Sequence, residues 1–155
     1  MDFGGRYRFA APRADVWAAL NDAAILKAAI PGCEKLDWTG PTTLDLKVRI
    51  SLGIVHPVFS GELVLSDIHP AEHYRLSGRG KGLLGLAQGG ADIALVDDGD
   101  GTILTFTAEG KADGGVMRLG KALIGNSAQA VIDGFFERIA QEMGVVVTTQ
   151  PPPQS

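Results

Sequence analysis

Phe9-Ala-Ala-Pro-Arg-Ala-Asp-Val-Trp-Ala-Ala-Leu-Asn-Asp22, followed directly by Ala23-Ala-Ile-Leu-Lys-Ala-Ala-Ile-Pro-Gly-Cys-Glu-Lys-Leu36, decides the fold. A strand ends at Phe9, two short helices follow in immediate succession, and Pro31-Gly32 breaks the chain before the next strand. Pro12 stands where a first-turn proline is tolerated, because its missing N–H would have no partner there. Val16, Trp17 and Leu20 share one helical face. Asn21-Asp22 stops that helix and caps the next. Ile25, Leu26 and Ile30 form a second apolar stripe, and Pro31-Gly32 ends it. Helices this short are not stable alone. They must be wedged against something larger.

Downstream, the period is two. Leu36 and Trp38 alternate with Lys35 and Asp37, and the chain turns at Thr39-Gly40-Pro41. Leu44, Leu46, Val48 and Ile50 alternate with Asp45, Lys47 and Arg49, giving one wet and one dry face. Phe59, Leu63 and Leu65 oppose Ser60, Glu62 and Ser66. After a turn at Pro70-Ala71-Glu72, Tyr74 and Leu76 alternate with His73, Arg75 and Ser77. Ile93 and Leu95 continue the dry face through residues 86–96. Asp97-Asp98-Gly99-Asp100-Gly101 is a hairpin signal, and Leu104, Phe106 and Ala108 lead out of it. With a first strand at about 2–10, this makes seven strands of an antiparallel sheet. The chain holds 21 glycines, about twice the ordinary share, which predicts many turns and bent strands.

After Gly114-Gly115 the period becomes 3.6. Met117, Ile124, Ala128, Val131, Phe135 and Ile139 form one stripe, broadened by Leu119, Leu123, Ile132 and Phe136. Roughly 28 residues at ~1.5 Å each would make a helix of about 40 Å, long enough to cross the sheet. The expected organisation is one α+β domain over residues 1–144, with a mobile proline-rich tail at 145–155. A single helix covers only part of a wide curved sheet, so an internal cavity is the natural by-product. The positions expected to line it are Trp17, Ile30 and Pro31 from the opening segment, and Trp38, Leu46, Val48, Phe59, Leu63, Leu76 and Phe106 from the strands. Met117, Ile124, Val131 and Phe135 complete the set from the long helix. Aromatic side chains at this spacing serve equally as plain core. Met117 stands out because it is flexible and follows Gly114-Gly115, a hinge-like pair.

The order of elements and several motifs resemble the START-like, or helix-grip, superfamily (SRPBCC). Within it the chain looks like the CoxG family of carbon monoxide dehydrogenase proteins. The likeness rests on Val16-Trp-Ala-Ala-Leu-Asn-Asp22, on Ile30-Pro-Gly-Cys-Glu34, on Gly80-Lys-Gly82 leading to Gly85-Leu-Ala87, and on Gly114-Gly115 with Leu119-Gly120. It spans residues from about 1 to 143. The resemblance implies a helix-grip fold: seven curved strands around a long C-terminal helix, with two short helices between the first two strands. It further implies a non-catalytic accessory protein that holds a lipid-like or quinone-like molecule, needs no other cofactor, and serves the assembly or membrane recruitment of a molybdenum-containing hydroxylase. Transient inner-membrane contact would go with that role. Relatives carry a longer C-terminal extension suspected of touching the membrane, whereas Val145-Val-Val147 is too short to anchor anything. The superfamily also contains polyketide cyclases and aromatases, which keeps an enzymatic alternative open.

Other readings are excluded or weakened by the residues themselves. A net charge of −4 leaves no electrostatic footprint for nucleic acid. The single cysteine, Cys33, permits no internal disulfide and fits a reducing compartment. The N-terminal Met-Asp-Phe-Gly-Gly-Arg shows no signal peptide, so a cytoplasmic location is expected, peripheral to the membrane at most. Gly80-Lys-Gly-Leu-Leu-Gly85 matches G-x-G-x-x-G, but a strand follows where a dinucleotide site needs a helix. Cys33 is read as structural. His56, His69 and His73 lie on wet faces or turns, which argues against a metal. Asp45, Glu62, Asp92 and Glu109 all take wet-face parity, so no acid–base pair converges on the dry face. Arg6, Arg8, Arg75, Arg79 and Lys81 could form a basic strip for an acidic partner or anionic lipid head groups.

Overall fold

A computed structural model describes residues 2–49, 54, 56, 58–82, 85–112 and 128–150. The chain runs β1 (Asp2–Phe9), α1 (Arg13–Leu20), α2 (Ala23–Ala29), β2 (Cys33–Trp38), β3 (Thr43–Arg49), β4 (Val58–His69), β5 (His73–Gly82), β6 (Gly85–Asp98), β7 (Gly101–Ala112), α3 (Ala128–Met143) and β8 (Val147–Gln150). The described strands form one antiparallel sheet in the order β2-β3-β4-β5-β6-β7-β1-β8. The sequence pattern predicts seven strands. The eighth comes from residues expected in the tail: Phe9 pairs with Val147 and Arg6 with Gln150. Gly144 turns the chain back with φ +73°, and the Val145 N–H bonds the Ala140 carbonyl at 3.0 Å. That is a helix-end motif which redirects the chain along β1.

The opening wedge forms as its residues dictate. Asp22 caps α2, its Oδ1 accepting from the N–H groups of Ala24 at 2.9 Å and Ile25 at 3.3 Å. The Asn21 amide donates to the Trp17 carbonyl at 2.9 Å and closes α1. Val16, Leu20 and Ala29 are buried, and Trp17, Ile25, Leu26 and Ile30 pack on the core beside them. Helix α3 lies on β1 and touches both short helices. Its expected N-terminal part, and with it Met117 and Ile124, lies outside the described residues.

Phe136 is the hub of the core. Its ring centroid lies 4.5 Å from Tyr7, 5.0 Å from Phe135, 5.5 Å from Phe106 and 6.5 Å from Phe9. Thr102 is fully buried, and its hydroxyl donates to the Ala11 carbonyl at 2.7 Å, tying β7 to the start of the wedge.

Cross-strand register places Leu36, Trp38, Leu44, Leu46, Val48, Phe59, Leu63, Leu76, Ile93 and Phe106 on one face, as the alternation predicts. Facing glycines bend this sheet. Gly61 opposes Gly80, and Gly89 opposes Gly110. A Cβ on Gly61 would lie 2.6 Å from the Arg79 carbonyl oxygen, and one on Gly89 2.6 Å from that of Glu109. Neighbouring strands therefore approach at an angle only glycine allows.

Candidate functional site

The inner face of the sheet has two unlike corners. Where β6, β7 and β1 meet, Leu95, Leu104, Tyr7 and Phe9 are all buried under α3 and α1. Across β3, β4 and β5 the same face carries Leu46, Val48, Phe59, Leu63 and Leu76, all half-buried. Between them the inner positions hold Gly61, Gly78, Gly80, Gly89 and Gly110, with Ala91 and Ala108 alongside. A face floored by glycine and alanine and edged by half-buried aliphatic and aromatic groups offers apolar surface with little side-chain volume to fill it.

Of the positions expected to line a cavity, Trp17, Ile30, Leu46, Leu63, Leu76, Phe106 and Phe135 are brought together against the core. Val48 faces Phe59 across β3 and β4 at the edge of that group. Trp38 has inner-face parity but sits on the outermost strand and is 37% exposed. Pro31 is exposed. The side chain of Val131 falls outside what is described. Trp17 meets Tyr74 edge-on at 5.3 Å. Burial of Tyr74 pushes its phenol far above the ordinary value, so it stays neutral.

The Ile30-Pro-Gly-Cys-Glu34 element is a clasp. Gly32 adopts φ +72°, and a Cβ there would overlap the Arg49 carbonyl oxygen. The Gly32 carbonyl accepts from the Arg49 N–H at 2.8 Å, and the Arg49 guanidinium pairs with Glu34. That hydrogen bond holds the Glu34 carboxyl below the usual range. Cys33 is half-buried, its thiol pushed up chiefly by burial, which makes it a poor nucleophile. The clasp thus joins the end of α2 to the end of β3, beside Val48 and Phe59.

Two features are not visible in the sequence pattern. The first is an acid facing inward: Tyr7 donates its hydroxyl proton to Asp133 Oδ1 at 2.6 Å. Strand parity covers only the strand acids, while Asp133 belongs to α3, three residues before Phe136 and on its face. The second is a groove of about 700 Å³ on the opposite, outer face, between Glu62, Arg79 and Gln88 on one side and Arg75 and Glu109 on the other. Its floor is Ser77 and Gly90, small residues at facing register positions. The outer-face acids behave as alternation predicts. Arg75 bonds Asp92 at 2.7 Å and Glu109 at 2.8 Å. The expected basic strip is correspondingly reduced, since Arg8 is also paired, with Asp98 at 2.7 Å. His73 contributes to the same network, 3.3 Å from Asp92. Among the described residues no group of three or more His, Cys, Asp or Glu side chains could hold a metal, and no helix is long and apolar enough to cross a membrane.

Comparison with known proteins agrees with this geometry. The family model for the carbon monoxide dehydrogenase protein CoxG matches residues 5–144. Among solved structures, a conserved protein from Geobacillus kaustophilus is 26% identical, with a TM-score of 0.81 over 95% of this chain and 99% of that one. A protein from Chromobacterium violaceum is 16% identical, with a TM-score of 0.71 over 92% of this chain and 96% of its own. The ZhuI aromatase/cyclase from Streptomyces sp. R1128 is 13% identical, with a TM-score of 0.68 over 93% of each chain. The last two likenesses speak to the helix-grip fold alone. No curated protein matches the chain.

Proposed function

Because the chain belongs to the CoxG family of carbon monoxide dehydrogenase proteins, we propose that it is a non-catalytic accessory protein of a molybdenum-containing hydroxylase, holding an apolar, lipid-like or quinone-like molecule inside the grip. The observation that carries this reading is the inner face across β3–β7: a floor of glycine and alanine bordered by Leu46, Phe59, Leu63, Leu76 and Phe106. Trp17, Ile30 and Phe135 border it from the helical side, and Met117, Ile124 and Val131 are proposed to complete it. Such a surface would bind by apolar burial, at about 25 cal/mol per Å² removed from water, with few polar groups to fix a head group. The test is mass spectrometry of an organic extract of protein purified from its own cells. A stoichiometric lipid or quinone is expected. A clean extract, together with failure of a quinone to raise the melting temperature, would remove the carrier reading.

A second reading, ring-closing chemistry of the aromatase/cyclase kind, has one observation on its side: the Tyr7–Asp133 hydrogen bond on the inner side of α3. Against it, Tyr7 is 1% exposed and lies under Phe136, so a substrate would have to displace packed aromatic rings to reach it. If Asp133→Asn abolished turnover of a polyketide analogue while leaving the fold intact, the enzymatic reading would gain over the carrier.

A further inference from the structure

The end of the sheet that carries the clasp also carries an unusual row of charge. Lys35 faces Lys47 directly across β2 and β3, Lys47 faces Ser60, and Ser60 faces Lys81. All four side chains are exposed. Neighbouring strands are about 5 Å apart, so the two facing ammonium groups repel, an arrangement that destabilises a sheet. Among the described residues every ion pair is made by an arginine or a histidine, and none by these lysines. Glu34 feels the charge of Lys47, but its carboxylate is bonded to Arg49. The nearest acids on this face, Asp37, Asp45 and Glu62, stand one register row further from the tip. A protein of net charge −4 therefore presents an excess of cations at this end.

An apolar side chain projects from the same end. Ile54, between β3 and β4, is 97% exposed. The sequence around it is apolar, with Ile50, Leu52 and Val55, and Leu83-Leu84 joins β5 to β6 in sequence at that end. An acidic protein surface would match the lysines but offer nothing to Ile54. A bilayer with anionic head groups matches both: the lysines remain at the phosphate level while the isoleucine enters the acyl boundary.

We propose that this end of the sheet, Lys35, Lys47 and Lys81 beside Ile54, is a docking surface for an anionic lipid bilayer. It brings the half-buried Val48 and Phe59 of the inner face next to the membrane, where a lipid-soluble ligand would be exchanged. The exchange rests on the carrier reading above; the docking does not.

The test is co-sedimentation of the full chain with vesicles of phosphatidylcholine, alone or mixed with phosphatidylglycerol. Binding to the mixed vesicles only, weakened by added salt, is expected. Each lysine near the surface contributes roughly fivefold, so joint Lys35→Glu, Lys47→Glu and Lys81→Glu should weaken partitioning more than about 100-fold. Ile54→Asp should weaken it about tenfold while leaving the salt dependence in place. All four positions are exposed, and an unchanged melting curve confirms that the variants fold. Equal binding to both vesicle types, binding to neither, or undiminished binding of the triple variant would overturn the proposal. The extract of the triple variant keeps the two readings apart, because none of its substitutions touches the inner face: ligand lost from wild type and variant alike counts against the carrier alone.

Discussion

Two corners of one face share a single alternation and end in different states. At the β6–β7–β1 corner, Leu95, Leu104, Tyr7 and Phe9 are buried at 4%, 0%, 1% and 0% exposure. At the β3–β4–β5 corner, Leu46, Val48, Phe59 and Leu63 point the same way and stay half-buried. The difference lies in what faces them. Among the described residues α3 packs on β1 and on the short helices, and Phe136 fills the first corner with aromatic contacts. The second corner has glycine at Gly61, Gly78 and Gly80, which bends the sheet instead of filling it. One corner holds the fold together, and the other leaves room for an apolar guest.

The comparison breaks most readily at its hub. Phe136→Ala should cost about 3–5 kcal/mol in urea denaturation, since a fully buried ring leaves a cavity its neighbours fill only in part. Phe59→Ala, at the half-buried corner, should cost about 1 kcal/mol. Equal losses at the two sites would erase the distinction between the corners. Gly32→Ala attacks the clasp between them. It forces a side chain into a positive-φ position and onto the Arg49 carbonyl, and should cost about 2–3 kcal/mol. Thr102→Val leaves the buried Ala11 carbonyl without its donor and should cost about 1–2 kcal/mol, read as a lowered melting temperature.

The smallest effect is that of the Glu34–Arg49 pair. The folded-state pKa of Glu34 is depressed, so its contribution is present above the ordinary carboxylate range and fades as pH falls through the folded value. Wild type should melt slightly above Glu34→Gln at neutral pH, and the two curves should converge on acidification. A difference that persists in acid would assign the effect to packing rather than charge.

Much of this is legible in the sequence. The faces of β3 to β7, the capping by Asp22 and the hairpin at Gly99 follow from period, cap chemistry and turn residues. These are local, so the chain states them. The eighth strand is not legible: Val147–Gln150 is short, and only the groups offered by β1 make it a strand. Asp133 is hidden because a charged residue in an apolar stripe looks like the helix's wet edge until Tyr7, 126 residues away in sequence, supplies its partner. The clasp is legible as punctuation, but its reason is not, since the carbonyl that excludes a side chain at Gly32 belongs to Arg49.

By itself the sequence determined which residues face inward, where the chain turns, and the family to which the whole belongs, because alternation, caps and motifs act over a few residues. Tertiary structure alone decided which inward residues are filled over and which stay half-buried. It also decided which charges find partners, as Arg75 does and Lys35, Lys47 and Lys81 do not. The physical reason is that burial and charge pairing depend on what comes to lie opposite, and in this sheet the opposing group is seldom a neighbour in sequence.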